Sequence, residues 1–102
     1  MAKFSLTKRA IADLVDIAHY TEKHWGPEQR NKYLTMLDSG FQQLAATPTK
    51  GRDCSDIRHG YRKMNVGSHV VFYRQKQSDE IEIVRVLHGR MDIETKISST
   101  QD

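Results

Sequence analysis

The sequence of 102 residues contains one cysteine, two prolines and no long apolar run. Cys54 alone cannot form an internal disulfide, so we do not expect a secreted domain held together by disulfides. The longest uninterrupted apolar run, residues 70–73, is four residues long, whereas a membrane-spanning helix needs about 20. The chain also begins without the basic start and apolar stretch of a secretory signal. We therefore expect a cytoplasmic protein with no membrane segment.

The short length favours a single domain with a small core. The one clear connector, residues 48–56 (PTKGRDCSD), is polar and too short to link two domains, so it predicts a loop. We place the domain at residues 1–97 and expect residues 98–102 to form a flexible tail.

Charge is distributed unevenly along the chain. The net charge is +3, but residues 57–77 contain five basic residues and no acidic one. This stretch is either a solvated face of a sheet or a patch for an anionic partner, which could be nucleic acid or an acidic protein segment. The excess is too mild to indicate non-specific coating of DNA. Its basic residues are Arg58, Arg62, Lys63, Arg74 and Lys76.

The first half of the chain predicts two amphipathic helices. Thr7 is suited to cap a helix over residues 8–24, which Gly26 and Pro27 end. A second helix follows and ends at Thr47-Pro48, and the short connection predicts an antiparallel hairpin. The apolar positions of the two helices predict one buried face, with these residues in the core: Ile11, Leu14, Val15, Ala18, Trp25, Tyr33, Leu34, Leu37, Phe41 and Leu44. Trp25 and Tyr33 could instead be recognition aromatics, although aromatic residues on a helical stripe more often belong to the core.

The second half of the chain predicts three strands, at residues 61–66, 69–74 and 81–87, in addition to a first strand at residues 3–6. Gly67-Ser68 is typical of a two-residue hairpin turn. The segment 81–87 is the most apolar, so we expect it to be central. Simple alternation puts its residues on two faces: Ile81, Ile83, Arg85 and Leu87 on one, and Glu82, Val84, Val86 and His88 on the other.

The element order is therefore β-α-α-β-β-β, which predicts a small α+β domain. A small antiparallel sheet must bury its apolar face against the N-terminal two-helix hairpin. The pattern leaves open whether the first strand pairs at an edge or in the middle of the sheet.

Three arginines inside strands are the least ordinary chemical feature. Arg62, Arg74 and Arg85 must each find water, an acid or an anion, since an unpaired buried guanidinium is costly. They could pair with Glu82, Asp13 or Asp16, or bind an anionic partner. Alternatively, Arg62 and Arg85 could hold a phosphate while His88 moves a proton, as in a ribonuclease that needs no metal.

Other catalytic signals are weak. The five histidines are scattered and none has metal-ligand spacing, so we expect no metal site and no cofactor. Cys54 lies in a polar loop near Arg52, which could lower its pKa. No base is identifiable beside it, so a cysteine nucleophile is not favoured.

The sequence resembles the ParE toxins of the RelE/ParE superfamily over about residues 3–93. The segments GSHVVFYR (67–74) and VRVLHGRMD (84–92) carry most of the resemblance. Scattered matches support it, such as Trp25-Gly26 and Thr7 followed by Ala10. The resemblance implies the same helical hairpin on an antiparallel sheet.

The resemblance also implies a function. ParE proteins are the toxins of type II toxin–antitoxin pairs; they inhibit DNA gyrase by trapping its cleaved-DNA complex. A ParD-type antitoxin neutralises the toxin in a hetero-oligomeric complex, and DNA is contacted only indirectly, through the antitoxin. The sister RelE branch cuts ribosome-bound mRNA, which is the alternative function, but its lysine-rich loop and the tyrosine after the last strand are missing here.

The resemblance and the charge pattern together nominate the site residues. An inhibitor that is not an enzyme needs no catalytic residue, and if the protein were a ribonuclease, the candidates would be Arg62, Arg85 and His88. We expect antitoxin to bind Arg58, Arg62, Lys63 and Arg74. We expect gyrase to be contacted by Arg90, Met91, Asp92 and Ile93.

Overall fold

A computed structural model describes residues 2–89 of the chain. Neither long helix in this range is apolar enough to cross a membrane. The elements, in chain order, are β1 (Lys3–Leu6), α1 (Lys8–Trp25), α2 (Pro27–Ala46), a 3-10 turn (Pro48–Lys50), β2 (Arg52–Asp53), β3 (Arg62–Val66), β4 (His69–Gln77) and β5 (Glu80–His88).

The sequence determines both ends of the helix hairpin. The Thr7 hydroxyl accepts a hydrogen bond from the Ala10 amide at 3.0 Å, and it donates one to the Val84 carbonyl at 2.8 Å. Thr7 therefore caps α1 and joins it to β5. Gly26 ends α1 with a φ of 91°, a value that glycine adopts readily, and Pro27 begins α2 at once.

The predicted architecture is confirmed: two N-terminal helices pack on one sheet. The sheet has five strands in the order β1-β5-β4-β3-β2. It is mixed, because β1 pairs with β5 in parallel while the remaining pairs are antiparallel. The wholly antiparallel sheet expected from the sequence therefore needs this correction, as does the strand count, which gains the two-residue β2. Pairing with β1 covers the free edge of β5, the most apolar strand.

Both faces of the sheet are covered. The main core lies between the helices and the sheet, and its buried members include Leu37, Phe41 and Leu44, as expected. The second core lies among the loop after β2 and strands β4 and β5. The segment predicted as a polar connector thus buries Cys54. The buried members of the second core are Cys54, Tyr61, Phe72, Val84 and Leu87.

The expected alternation along β5 is wrong beyond Val84. The pairing between β4 and β5 shifts by one residue, from Tyr73 opposite Ile83 to Phe72 opposite Arg85. This bulge inserts an extra residue and resets which face each later side chain occupies. Val84 packs in the second core, as alternation predicts. Val86, however, joins Ile81 and Ile83 in the main core, and Leu87 lies in the second core.

The buried face of α1 also differs from the expected one. Ala10, Ile17 and Thr21 are buried, whereas three residues expected in the core are exposed, namely Ile11, Val15 and Trp25. Leu14 and Ala18 are half-buried. Viewed down the helix axis, the apolar positions of α1 cover an arc of about 160°, with Ile17 at one end and Val15 at the other, at 3.6 residues per turn. This arc is wider than the surface that the sheet can cover. The apolar pattern therefore did not fix the rotation of α1.

Candidate functional site: an aromatic groove beside the end of the central strand

A buried ion pair anchors α1 to β5 at the point where β1 ends. The Arg85 guanidinium donates to both carboxylate oxygens of Asp13, at 2.8 and 2.9 Å. Asp13 also accepts the Val86 amide at 2.9 Å, which satisfies an edge N–H that β1 does not reach. The hydrogen bond to Asp13 raises the pKa of Arg85. Of the pairings that the sequence left open, the structure selects this one for Arg85.

A cluster of three rings ties α2 to the turn between β3 and β4. The Tyr33 hydroxyl hydrogen-bonds to Nδ1 of His69 and accepts the Ser68 amide at 3.0 Å. The His69 ring stands edge-on to that of His88, with 5.3 Å between the ring centroids. His69 and His88 are also direct cross-strand partners in β4 and β5.

These rings line a groove of about 880 Å³ between the helices and the end of the sheet. Its other wall comes from the last three turns of α1 and the start of α2. Two aromatic side chains on this wall are largely exposed, since Tyr20 is 63% and Trp25 71% accessible. The Tyr20 ring stacks at a tilt on His24, 4.2 Å between centroids. Exposed aromatics around a groove are typical of a surface that binds another protein.

The electrostatics of the groove favour a neutral His69. Burial is the main cause that lowers the pKa of His69, and the proximity of His88 lowers it further. Asp13 acts in the opposite direction, but its charge is neutralised by Arg85. A neutral ring with an unprotonated Nδ1 can accept the Tyr33 hydroxyl proton.

The expected antitoxin contacts are divided between two faces of the sheet. Arg62 and Lys63 are consecutive in β3, so their side chains project from opposite faces. Arg62 donates to the Gly51 carbonyl at 2.8 Å, and it lines a small polar pocket with Asp53. The guanidinium of Arg58 lies 5.4 Å from the centroid of the Tyr61 ring.

Arg74 meets an acid from the neighbouring strand. Its guanidinium contacts the Glu82 carboxylate at 2.9 and 3.0 Å, and Lys76 lies 4.0 Å from the same group. The stretch 57–77 has no acid of its own, but the fold supplies Glu82 and Asp53 beside it. The pairing of Arg74 with Glu82 is one that the sequence left open.

The three ribonuclease candidates do not converge. In the sheet, Arg62 of β3 lies opposite Tyr73 of β4. His88 of β5 lies opposite His69 of β4, which in turn lies opposite Val66 of β3. Four residues along β3 separate these rows, which is about 13 Å. Arg85 is held by Asp13.

The remaining sequence expectations concern Cys54, metal binding and the C-terminal segment. Cys54 is buried, and desolvation raises its pKa, so the lowering that we expected from Arg52 is wrong. Within residues 2–89, no three His, Cys, Asp or Glu side chains are grouped to hold a metal ion. The expected gyrase contacts, Arg90, Met91, Asp92 and Ile93, lie outside the described residues, as does the expected tail.

Sequence reasoning missed the groove. It favoured the core over a role as recognition aromatics for Trp25 and Tyr33, because they fall on the apolar stripe of their helices. Tyr33 does pack against the core and also forms hydrogen bonds, but Trp25, the last residue of α1, is largely exposed. The feature of the sequence that could have indicated the groove is the position of Tyr20, His24 and Trp25 in the last turns of α1. A helix can extend past its packing partner at its end, which leaves such side chains exposed.

Comparisons with known proteins cover almost the entire chain. The model of the family described as the ParE toxin of the type II toxin–antitoxin system parDE matches residues 4–93. Toxin ParE1 of Mycobacterium tuberculosis is 41% identical over 96 residues, which cover 94% of this chain and 98% of that protein. Toxin ParE1 of Caulobacter vibrioides is 42% identical over 92 residues, which cover 90% and 94%.

More distant relatives agree. Toxin ParE of Escherichia coli is 33% identical over 98 residues, covering 96% of this chain and 95% of the relative. A chain in the structure of the chromosomal ParDE system of P. aeruginosa superimposes with a TM-score of 0.73 at 23% identity, covering 86% of this chain and 96% of that one. This likeness shows a shared fold.

Proposed function

Because this chain belongs to the ParE toxin family of type II toxin–antitoxin systems, we propose that it inhibits DNA gyrase by trapping the cleaved-DNA complex. A ParD-type antitoxin neutralises it in a hetero-oligomeric complex, which touches DNA through the antitoxin. The protein acts in the cytoplasm, where gyrase works, and it needs no cofactor. The observation that carries this proposal is the family match over residues 4–93.

The family resemblance is the basis for assigning the gyrase contact to Arg90, Met91, Asp92 and Ile93, the segment that follows the last strand. The Gly89 amide donates to the Ser68 carbonyl at 3.1 Å, and the preceding residue, His88, lines the groove. An inhibitor of this kind needs only a complementary surface, with no proton donor or acceptor.

The alternative, a RelE-type ribonuclease, is less well supported. Such an enzyme needs a proton-transfer group and an anion site within reach of one substrate. Arg62 and His88 lie on different rows of the sheet, and the Arg85 guanidinium is held by Asp13. We therefore propose that the protein is an inhibitor and not an enzyme.

Purified gyrase provides the direct test. Added to gyrase, ATP and supercoiled plasmid, the chain is expected to cause linear, protein-linked DNA to accumulate. Removal of residues 90–102 should abolish this effect, whereas removal of residues 98–102 alone, the matched control, should not. If the full chain leaves plasmid intact and instead cuts mRNA on ribosomes, the ribonuclease alternative holds.

His88 separates the two functions further. Catalysis predicts that His88→Ala abolishes killing in a folded protein and removes the mRNA cuts made by the unchanged chain. Surface inhibition predicts that the truncation after Gly89 is the disabling change and that it removes the DNA-damage response as well. Circular dichroism of each variant checks that it is folded.

Antitoxin binding should depend partly on charge. Lys63 and Arg74 lie on one face of the sheet, and with Lys76 they outnumber Glu82 there. We expect Lys63→Gln and Arg74→Gln to weaken the complex and reduce its salt dependence. Lys32→Gln on exposed α2 is the control with the same change in charge. Affinity that is insensitive to salt and to both changes would contradict the electrostatic contribution.

A further inference from the structure

Two cations lie directly opposite each other where β2 pairs with β3. Arg52 and Lys63 are cross-strand partners, and the Cβ atoms of such partners are only about 4.5–5.5 Å apart. Like charges in this position destabilise a strand pair. Neither side chain forms an ion pair with any residue of the part of the chain that the structure describes. The strand pair therefore carries positive charge that the fold does not neutralise.

A third cation belongs to the same face of the sheet. The ladder continues beyond β2, because the Cys54 amide donates to the Tyr61 carbonyl at 2.9 Å. Tyr61 precedes Lys63 by two residues, so both side chains project from one face. The Arg58 guanidinium lies 5.4 Å from the centroid of the Tyr61 ring. We call Arg52, Arg58 and Lys63 the cationic edge.

The acids of β2 and of the loop that follows it do not balance the cationic edge. Asp53 comes directly after Arg52 and so projects from the other face, where it lies opposite Arg62. Its carboxylate also accepts the Ser55 amide at 3.1 Å and the Ser55 hydroxyl at 2.6 Å. Asp56 offsets at most one of the three charges. An anion from outside the chain would offset the rest and relieve the repulsion across the strand pair.

The surroundings of the cationic edge favour a phosphate backbone over an acidic protein segment. Protein partners are held mainly by apolar and aromatic anchors, and the exposed large apolar side chains within residues 2–89 all belong to α1 and α2. Phosphate contacts need only cations and polar groups. Duplex DNA presents one negative charge per ~1.7 Å of its axis, so one duplex can neutralise several neighbouring cations.

We propose that the cationic edge contacts the phosphate backbone of the DNA that gyrase holds in the trapped complex, without reading its sequence. This inference rests on the proposed function, which brings the chain to a complex of gyrase and DNA. Three phosphate contacts give weak affinity by themselves, which agrees with the modest net charge of +3. The cationic edge therefore adds contacts that exist only while gyrase holds DNA beside it.

Binding to DNA alone tests the contact without gyrase. In fluorescence anisotropy with a labelled duplex, three phosphate contacts predict a salt slope of about −2.7, which is an affinity loss of about 40-fold between 50 and 200 mM KCl. Arg52→Gln combined with Lys63→Gln leaves one contact, so the slope should be about −0.9 and the loss about 3.5-fold. Lys23→Gln combined with Lys32→Gln, on exposed positions of the helices, removes the same charge and should retain the steep slope.

Gyrase supplies the second test. With gyrase, ATP and supercoiled plasmid, the variant with Arg52→Gln and Lys63→Gln should need several-fold more protein for half-maximal accumulation of linear DNA. Its affinity for gyrase without DNA should equal that of the unchanged chain, which separates a contact with DNA from a contact with gyrase. Circular dichroism verifies that the variant is folded.

The failure of this inference can be told from the failure of the proposed function. If the unchanged chain causes no linear DNA to accumulate, both are wrong, whereas equal potency of the variant would refute the DNA contact alone. An affinity for duplex that does not depend on salt, an equal change of slope in the control, or weaker binding of the variant to DNA-free gyrase would also overturn the proposal. Tighter binding to single-stranded RNA than to the duplex would overturn it in favour of the ribonuclease alternative.

Discussion

Loss of the Asp13 carboxylate should severely destabilise the protein. Asp13 and Arg85 have only 12% and 10% of their side chains accessible. Asp13→Ala removes two charge-assisted bonds and the acceptor of the Val86 amide. Breaking such a buried pair from one side removes the carboxylate that offsets the burial of the cation, which costs about 3–5 kcal/mol. That is a large part of the ~5–15 kcal/mol that stabilises a small domain.

Urea denaturation followed by far-UV circular dichroism measures this loss. The control is Glu22→Ala, which breaks the exposed pair between Glu22 and Arg30 and should cost less than about 1 kcal/mol. Asp13→Asn keeps an oxygen that can accept the Val86 amide, so its decrease in the free energy of unfolding should fall between those of the other two variants. If Asp13→Ala destabilises no more than Glu22→Ala, the ion pair does not anchor α1 and our account of this junction is wrong.

Three further predictions concern other parts of the fold. Phe41→Ala should cost about 2–5 kcal/mol in urea denaturation, because Phe41 is buried in the main core; unchanged melting would exclude it from that core. Tyr73→Phe should cost about 1–3 kcal/mol, since the hydroxyl bonds the buried Gly51 amide; an unchanged urea midpoint would mean that water replaces it. Trp25→Ala should shift the urea midpoint little, because the side chain is exposed, but it should weaken partner binding in calorimetry; unchanged affinity would exclude Trp25 from the binding surface.

The sequence was informative about features that depend on the residues of a single helix, strand or turn. Thr7, Gly26 and Pro27 mark the helix ends through local backbone chemistry, and Gly67-Ser68 marks the hairpin turn. The stripe of Leu37, Phe41 and Leu44 predicted the buried face of α2 correctly. The β-branched run of β5 indicated a strand that others cover on both sides.

The sequence was less informative where two segments distant in the chain must meet. Asp13 and Arg85 are 72 residues apart, and no periodicity indicates which acid an arginine will contact. The bulge in β5 likewise depends on how β4 and β5 align, so alternation within β5 alone could not reveal it. The same is true of Tyr33, His69 and His88, which come from three elements.

The sequence by itself thus determined the order of both helices and of every strand except β2, the helix caps and the family, since each depends on local conformational preference or on residues read in order. Only the tertiary structure decided the parallel pairing of β1, the rotation of α1 and the exposure of Trp25. Those features depend on which surfaces are available once the sheet is assembled. An apolar stripe states that a helix is buried on one side, but the partner surface decides how much of that stripe it covers.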